Sequence, residues 1–269
     1  MTTVPEPHAL ASSTTARQRL SLVHALPALA ALAGLSALGW AWLARPDAMT
    51  MGGSMGTMVM PRGSVMSMPM SPASAAWTPL YAAQALAMWT AMAVAMMLPT
   101  VAPTLLRLAK AQPGTARRTL AFAGGYLLPW LVFAVAATLL QWGLEQTGVV
   151  TGGVITDLRL GSLMLAAAGI FQLLPLKRAC LARCTALGLW NGTPGAGSAA
   201  AAGMRYAGPC LGASGALMFV PLASGLMNAP WLAGLTAWLL LERASRWGGR
   251  VAWAGGLALL AYAAARLWI

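Results

Sequence analysis

The sequence predicts an all-α fold, a polytopic bundle of about seven transmembrane helices with a cytoplasmic N-terminus. The chain of 269 residues is 59% hydrophobic and only 8% charged, whereas a soluble domain carries about 25% charged residues. It contains seven apolar segments, most of them close to the length of about 20 residues that crosses a bilayer. Its 17 Lys and Arg residues are concentrated in alternate connections between these segments. This composition excludes both a soluble globular fold and a disordered chain.

The apolar segments follow one another along the whole chain. They cover about 24–43, 81–98 with a continuation past Pro99 to 108, 120–142, 160–176, 206–227, 230–243 and 251–269. Because proline disfavours helix at the residue before it, Pro230 predicts a break between the fifth and sixth segments. We expect the first segment to be an uncleaved anchor, since a signal-peptide core has only about 7–15 apolar residues.

The predicted organisation has four parts. They are a cytoplasmic tail at 1–23, an anchor at 24–43, a methionine-rich non-cytoplasmic segment at 44–79 and a six-span membrane domain at 80–269. With the N-terminus inside, 13 of the 17 basic residues lie on the cytoplasmic side and 4 on the other, as the positive-inside rule expects. The net charge of +12 therefore records topology and headgroup anchoring. We expect the lipid bilayer as a partner and no nucleic acid.

Methionine is concentrated in the non-cytoplasmic segment. Eight of the 17 methionines lie among Gly, Ser, Thr and Pro there: Met49, Met51, Met55, Met58, Met60, Met66, Met68 and Met70. The segment has no clear helical or strand period, so we expect no packed element. Uncharged thioethers suit Cu(I) or Ag(I) rather than zinc or calcium. The alternatives are a linker of accidental composition and a patch for apolar contacts.

Further sulfur lies in the membrane domain. Met88, Met92 and Met96 in the second span are spaced by four, which places them on one helical face, and Met97 is adjacent. Met218 and Met227 add sulfur to the fifth span. Methionines that fill gaps between helices give the same pattern, so periodicity alone leaves a metal path and simple packing open.

The three cysteines form a second candidate set. Cys180 and Cys184 are spaced to share one face if the helix continues past the fourth span, and Cys210 follows in the fifth. The three thiols come together only if the fourth and fifth spans pack side by side. Thiolates also suit soft metals, although many such cysteine pairs are inert.

Acidic residues are too scarce for most enzyme mechanisms. The chain has five, of which Glu242, followed by Arg243, is predicted to be interfacial and ion-paired. Glu145 and Asp157 are predicted to be solvated. Nucleotide-binding motifs and catalytic triads are absent from the sequence, so we expect a protein that is not an enzyme.

Several unusual phrases then occur in one order between about residues 80 and 260. They are Met88-Trp89-x2-Met92-x2-Ala95-Met96-Met97-Leu98-Pro99, Gly125-Tyr126-Leu127, Ala168-Gly169-x2-Gln172-x2-Pro175-Leu176-Lys177-x2-Cys180-Leu181-x2-Cys184, Gly203-Met204-Arg205-Tyr206-x3-Cys210-x-Gly212, Leu217-Met218, Gly225-x-Met227-Asn228 and Glu242-Arg243. Together they resemble the bacterial family of predicted metal-binding integral membrane proteins.

The resemblance implies a multi-pass protein of the bacterial inner membrane with a metal site. Its candidate ligands here are Cys180, Cys184 and Cys210, with Met92, Met96, Met97, Met218 and Met227 nearby. The family pattern has two cysteines and a tryptophan where this chain has Ala213, Ser214 and Gly215, and a lysine where it has Arg243.

The resulting hypothesis is a membrane protein that handles Cu(I). The non-cytoplasmic methionines would capture the ion and the membrane Met and Cys residues would receive it, for uptake or for assembly of a metalloenzyme. The implied partners are a periplasmic copper chaperone or a copper enzyme. The alternatives are a metal-free membrane scaffold or assembly partner, and a small-solute permease.

Overall fold

The computed structural model describes residues 7–45, 55–59, 65–69, 77–111, 116–187, 196–224 and 229–268. Over these residues the α-helices are α1 (Pro7–Leu43), α2 (Pro79–Ala111), α3 (Ala116–Gln146), α4 (Leu158–Leu173), α5 (Pro175–Leu187), α6 (Ala196–Ser214), α7 (Val220–Ser224), α8 (Ala229–Ala244) and α9 (Gly248–Trp268). A 3-10 helix covers Ala216–Phe219, and the short strands are β1 (Met55–Val59), β2 (Val65–Pro69), β3 (Val150–Thr151) and β4 (Val154–Ile155). The all-α prediction therefore holds for the described part of the chain.

Four helical segments are long and apolar enough to cross a membrane: Val23–Leu43, Pro79–Ala109, Ala116–Gln146 and Gly248–Trp268. Two bent helix pairs also qualify, which gives up to six spans over the described residues against the seven predicted. The seventh candidate is α8, which has only 16 residues. At 1.5 Å per residue it is about 24 Å long, shorter than the hydrocarbon core of about 30 Å.

Helix α2 continues through its prolines, as the sequence predicted. It runs for 33 residues and contains both Pro99 and Pro103, which makes it about 50 Å long. Its neighbours are α1, α3 and α8. The helix therefore carries its methionines through the interior of the bundle.

The predicted fourth and fifth spans are each broken. Helix α4 stops at Leu174, whose ψ of 144° is extended, and Pro175 favours this break because proline disfavours the helical region for the residue before it. The axis of α5 lies at 62° to that of α4, and the helical segment Ala216–Ala223 lies at 56° to α6. Cys180 and Cys184 thus lie on a separate helix rather than on a continuation of α4.

Two helix pairs approach with backbone against backbone. A Cβ at Gly125 on α3 would lie 2.9 Å from Ala200 Cα on α6, and one at Gly203 on α6 would lie 2.8 Å from Tyr126 N. On the other side, a Cβ at Gly169 on α4 would meet the carbonyl oxygen of Gly256 on α9 at 2.9 Å. These contacts pair α3 with α6 and α4 with α9. Helix α5 packs on α6.

The methionine-rich segment contains a hairpin, which corrects the expectation that it has no strand. β1 and β2 pair antiparallel with Met58 opposite Met66 and Gly56 opposite Met68. The signal in the sequence is Pro61 and Gly63, turn residues between two short runs. Four methionines of the cluster lie outside the described residues: Met49, Met51, Met60 and Met70.

Candidate functional site

Two thiols meet where α5 packs on α6. Cys184 Sγ and Cys210 Sγ are 3.2 Å apart, and the two residues are 2% and 0% exposed. Cys180, one turn before Cys184, is half-buried, and a Cβ at Gly212 would lie 2.8 Å from its Sγ. All three cysteines therefore line the same helix contact, but the closest pair joins two helices rather than the i, i+4 positions.

A guanidinium lies beside this pair. Arg243, at the end of α8, donates from Nη1 to Cys210 Sγ at 3.3 Å and to Thr100 Oγ1 at 3.1 Å. Its Nη2 donates to Ser214 Oγ at 2.8 Å, and Nη1 also lies 3.4 Å from the hydroxyl of Tyr126. Four helices, α2, α3, α6 and α8, thus hold one cation against a buried sulfur.

Two of the four positions at which this chain departs from the resembled family pattern contact each other here. Ser214 stands where that pattern has a cysteine and Arg243 where it has a lysine, and their side chains share the 2.8 Å hydrogen bond. A guanidinium has five donors in a fixed fork, more than an ammonium. The spread of the fork lets Nη1 reach Thr100 and Cys210 while Nη2 reaches Ser214.

The methionines of α2 lead towards this cluster. Met97 is followed one turn later by Thr100, whose hydroxyl lies 3.9 Å from Met97 Sδ and accepts from Arg243. Met88, Met92 and Met96 precede it and are at most 1% exposed. Met97 is therefore connected to Cys210 through the hydroxyl of Thr100 and the guanidinium of Arg243.

The remaining methionines named in the sequence analysis lie in other parts of the chain. Met218 is fully buried in the 3-10 helix, and Met227 lies outside the described residues. Met55, Met58, Met66 and Met68 lie on the hairpin strands. Over the described residues, no group of three or more His, Cys, Asp or Glu side chains is close enough to hold a metal. The candidate ligands for a soft ion here are therefore the two thiols of the Cys184–Cys210 pair.

Glu242 is ion-paired, as predicted, and its side chain is buried in the protein. It is 3% exposed, and Oε2 pairs with Lys177 Nζ at 2.8 Å rather than with the adjacent Arg243. Its Oε1 accepts from Trp238 Nε1 at 2.7 Å and from Gln172 Nε2 at 3.2 Å. Lys177, which counted as a cytoplasmic surface cation, is fully buried.

Glu145 is not simply solvated either. Its carboxylate accepts from Trp77 Nε1 at 2.9 Å, Tyr81 OH at 3.0 Å, Gln141 Nε2 at 2.9 Å and Gly153 N at 3.2 Å. It ties the start of α2 to the end of α3 and to the β3–β4 turn. Asp157 is exposed, as predicted, and caps α4 through the amide of Leu160 at 2.9 Å.

Sequence reasoning did not name Arg243, Thr100 or Lys177 as site residues. A signal existed for two of them, because Lys177 and Arg243 are charged residues beside long apolar runs, and an ionisable residue inside a membrane helix is rarely placed there without a role. Thr100 carried no such signal, since threonine is common in apolar helices. Its importance follows only from the approach of α8 to α2.

Together the fold and the site define a class: a helical protein with several helices able to span a membrane and a buried sulfur pair beside a fixed cation. Residues 86–266 match the model of a family described as copper chaperone, PpoB2. Because the match covers about two thirds of the chain, the protein belongs to this copper chaperone family. The comparisons with curated proteins and with solved structures give no match.

Proposed function

We propose that this chain is a multi-pass protein of the bacterial inner membrane that binds Cu(I) and transfers it, for uptake or for the assembly of a copper enzyme. The observation that carries the proposal is the Cys184–Cys210 pair, 3.2 Å apart and beside Arg243. The protein acts as a non-catalytic carrier. Its family supports copper as the cargo.

The spacing of the thiols suits a two-sulfur site that opens slightly. With a metal–thiolate bond of about 2.3 Å, taken from zinc, two sulfurs on one ion stand about 3.8 Å apart at a tetrahedral angle and about 4.6 Å apart in a line. The pair at 3.2 Å must therefore separate by roughly 0.6 to 1.4 Å to receive an ion. Rotation of one cysteine side chain gives a movement of this size.

The charge of the site also suits Cu(I). Two thiolates and one Cu(I) carry a single net negative charge, and an isolated charge is costly in an apolar interior. The guanidinium of Arg243, 3.3 Å from Cys210 Sγ, neutralises it. A divalent ion on the same ligands would leave one positive charge uncompensated, so the site favours the monovalent state.

Methionine supplies the route to this pair. In the proposed topology the hairpin carrying Met58 and Met66 lies on the periplasmic side and captures the ion. Thioethers are weaker ligands than thiolates and exchange Cu(I) readily, so Met88, Met92, Met96 and Met97 along α2 serve as intermediate positions. A periplasmic copper chaperone or a copper enzyme is then the exchange partner.

Anaerobic titration of the purified protein with Cu(I), against a chromophoric Cu(I) chelator, tests this function. We expect Cys184→Ser and Cys210→Ser each to abolish the tightest site. Cys180→Ser is the matched control, because Cys180 is outside the 3.2 Å pair, and it should bind Cu(I) within about threefold of the wild type. A deletion of residues 49–70 should remove the weaker sites of the periplasmic methionines and leave the tight one.

Equal stoichiometry and affinity in the wild type and all four variants would refute the proposal. The metal-free scaffold would then be the better description, with cysteine and methionine acting as packing. Loss of the tight site only in the 49–70 deletion would also contradict it, because the thiol pair would then have no role in binding.

A further inference from the structure

A cleft of about 740 Å³ lies where α5 meets the start of α9. Three arginines line it: Arg178 on α5, Arg246 in the connection after α8, and Arg250 on α9. Trp247 lies between the last two, with the Arg250 guanidinium carbon 4.1 Å and that of Arg246 5.5 Å from its ring centroid. Trp247 thus lies against two guanidinium groups that line the same cleft.

The described residues supply no counterion for this cleft. The chain has five acidic side chains, and those of Glu6 and Asp47 lie outside the described residues. Glu242 pairs with Lys177, while Glu145 and Asp157 are engaged at the far ends of α3 and α4. Within the described structure, three cations therefore face one cavity without a carboxylate among them.

The rest of the cleft is apolar and continues along α9. Its lining beyond the arginines includes Trp253, Ala254 and Leu257. Trp253 and Leu257 are 50% and 47% exposed, although α9 is long and apolar enough to cross a membrane. The cleft therefore presents positive charge at the end of the helix and a hydrocarbon surface down its side.

We propose that this cleft binds an anionic phospholipid, with its phosphate on Arg178, Arg246 and Arg250 and an acyl chain along Trp253 and Leu257. Basic pockets between membrane helices bind cardiolipin headgroups, and guanidinium groups recognise phosphate through paired hydrogen bonds. The inference rests on the membrane insertion proposed above and not on copper binding.

The test is native mass spectrometry of the full-length protein in neutral detergent, titrated with cardiolipin and separately with phosphatidylcholine. The triple variant R178Q/R246Q/R250Q should bind cardiolipin about 100-fold more weakly. Its matched control removes three exposed arginines elsewhere on the predicted cytoplasmic side, R107Q/R117Q/R205Q. The control should stay within about threefold of the wild type, and phosphatidylcholine should bind all three proteins equally weakly.

A steric variant separates shape from charge. A Cβ at Gly249, which lines the cleft, meets no atom within 4 Å, so Gly249→Leu fills the cavity without a clash at its Cβ. Gly143→Leu on α3 has the same open surroundings and is the control. We expect only the Gly249 variant to lose cardiolipin.

Equal loss in the two triple variants would mean that total charge governs binding, and it would overturn the proposal. Displacement of cardiolipin by millimolar inorganic phosphate would also overturn it, because the site would then recognise a free anion. Cu(I) titration of R178Q/R246Q/R250Q should match the wild type. Failure of the lipid site is thereby distinguishable from failure of the copper function.

Discussion

Gly203 on α6 is the position at which one added methyl group tests how the helix packing supports the thiol pair. Its Cβ would lie 2.8 Å from Tyr126 N and closer still to the carbonyl oxygen of Phe122, whereas ordinary contact begins at 3.4 Å. Both obstacles are backbone atoms of α3, so no side-chain rotation relieves the clash. Gly203→Ala must instead separate α3 from α6.

The size of the effect follows from these distances. The two helices must move apart by roughly 0.6 Å or more, and overpacking of this kind costs about 1–3 kcal/mol. The gain in helix propensity from Gly to Ala, about 1 kcal/mol, opposes it. Gly124→Ala on α3 has the same propensity gain, but its Cβ meets nothing within 4 Å, so the difference between the two variants isolates the clash.

The displacement should also reach the proposed copper site. Tyr126 on α3 contacts Arg243 through its hydroxyl at 3.4 Å, and its ring centroid lies 5.7 Å from that of Tyr206 on α6. Moving α3 away from α6 therefore shifts the cation relative to Cys210. We expect Gly203→Ala to bind Cu(I) more weakly than Gly124→Ala does.

Equilibrium unfolding in mixed micelles, followed by tryptophan fluorescence and circular dichroism, measures the first effect. Gly203→Ala should unfold at lower denaturant than Gly124→Ala by the equivalent of about 1–3 kcal/mol. Equal midpoints would refute the close α3–α6 contact. Unequal stability with equal Cu(I) affinity would refute its connection to the site.

Two other variants probe the buried polar groups. Lys177→Met leaves the carboxylate of Glu242 without its cation, so the free energy of unfolding should fall by about 3–5 kcal/mol. Adding Glu242→Gln should recover most of this loss. A double variant no more stable than Lys177→Met would contradict the pairing. Glu145→Gln replaces one acceptor oxygen by a donor that faces other donors. The same unfolding assay should therefore report a free energy of unfolding lower by about 1–3 kcal/mol. An unchanged denaturant midpoint would show that the hydrogen bonds of Glu145 to Trp77 and Gln141 contribute little.

The sequence was sufficient for the helical segments because each is a long apolar run, and hydropathy depends only on local composition. It was sufficient for the continuation of α2 through Pro99, because the apolar run continues on both sides. It did not reveal the break at Leu174. Pro175 made a break there permissible, but prolines inside α2, α3 and α6 cause none, so the outcome depends on packing around each one.

The site was less predictable than the helices for a similar reason. Spacing by four suggested Cys180 and Cys184 as a pair, but the 3.2 Å contact joins Cys184 to Cys210 across 26 positions. Likewise the partner of Glu242 is Lys177 rather than its neighbour in the chain. Such contacts depend on the angle at which α5 leaves α4 and on how closely α6 approaches α3, and neither is encoded by local periodicity.

The burial of the α2 methionines has a consequence for chemical durability. Conversion of a thioether to a sulfoxide makes it polar and requires an oxidant to reach the sulfur, and copper that cycles between two oxidation states generates such oxidants. Met88, Met92, Met96 and Met97 are at most 1% exposed, whereas Met204 on α6 is 42% exposed. Oxidative damage among the described side chains should therefore begin at Met204, leaving the sulfur of α2 reduced while copper is being handled.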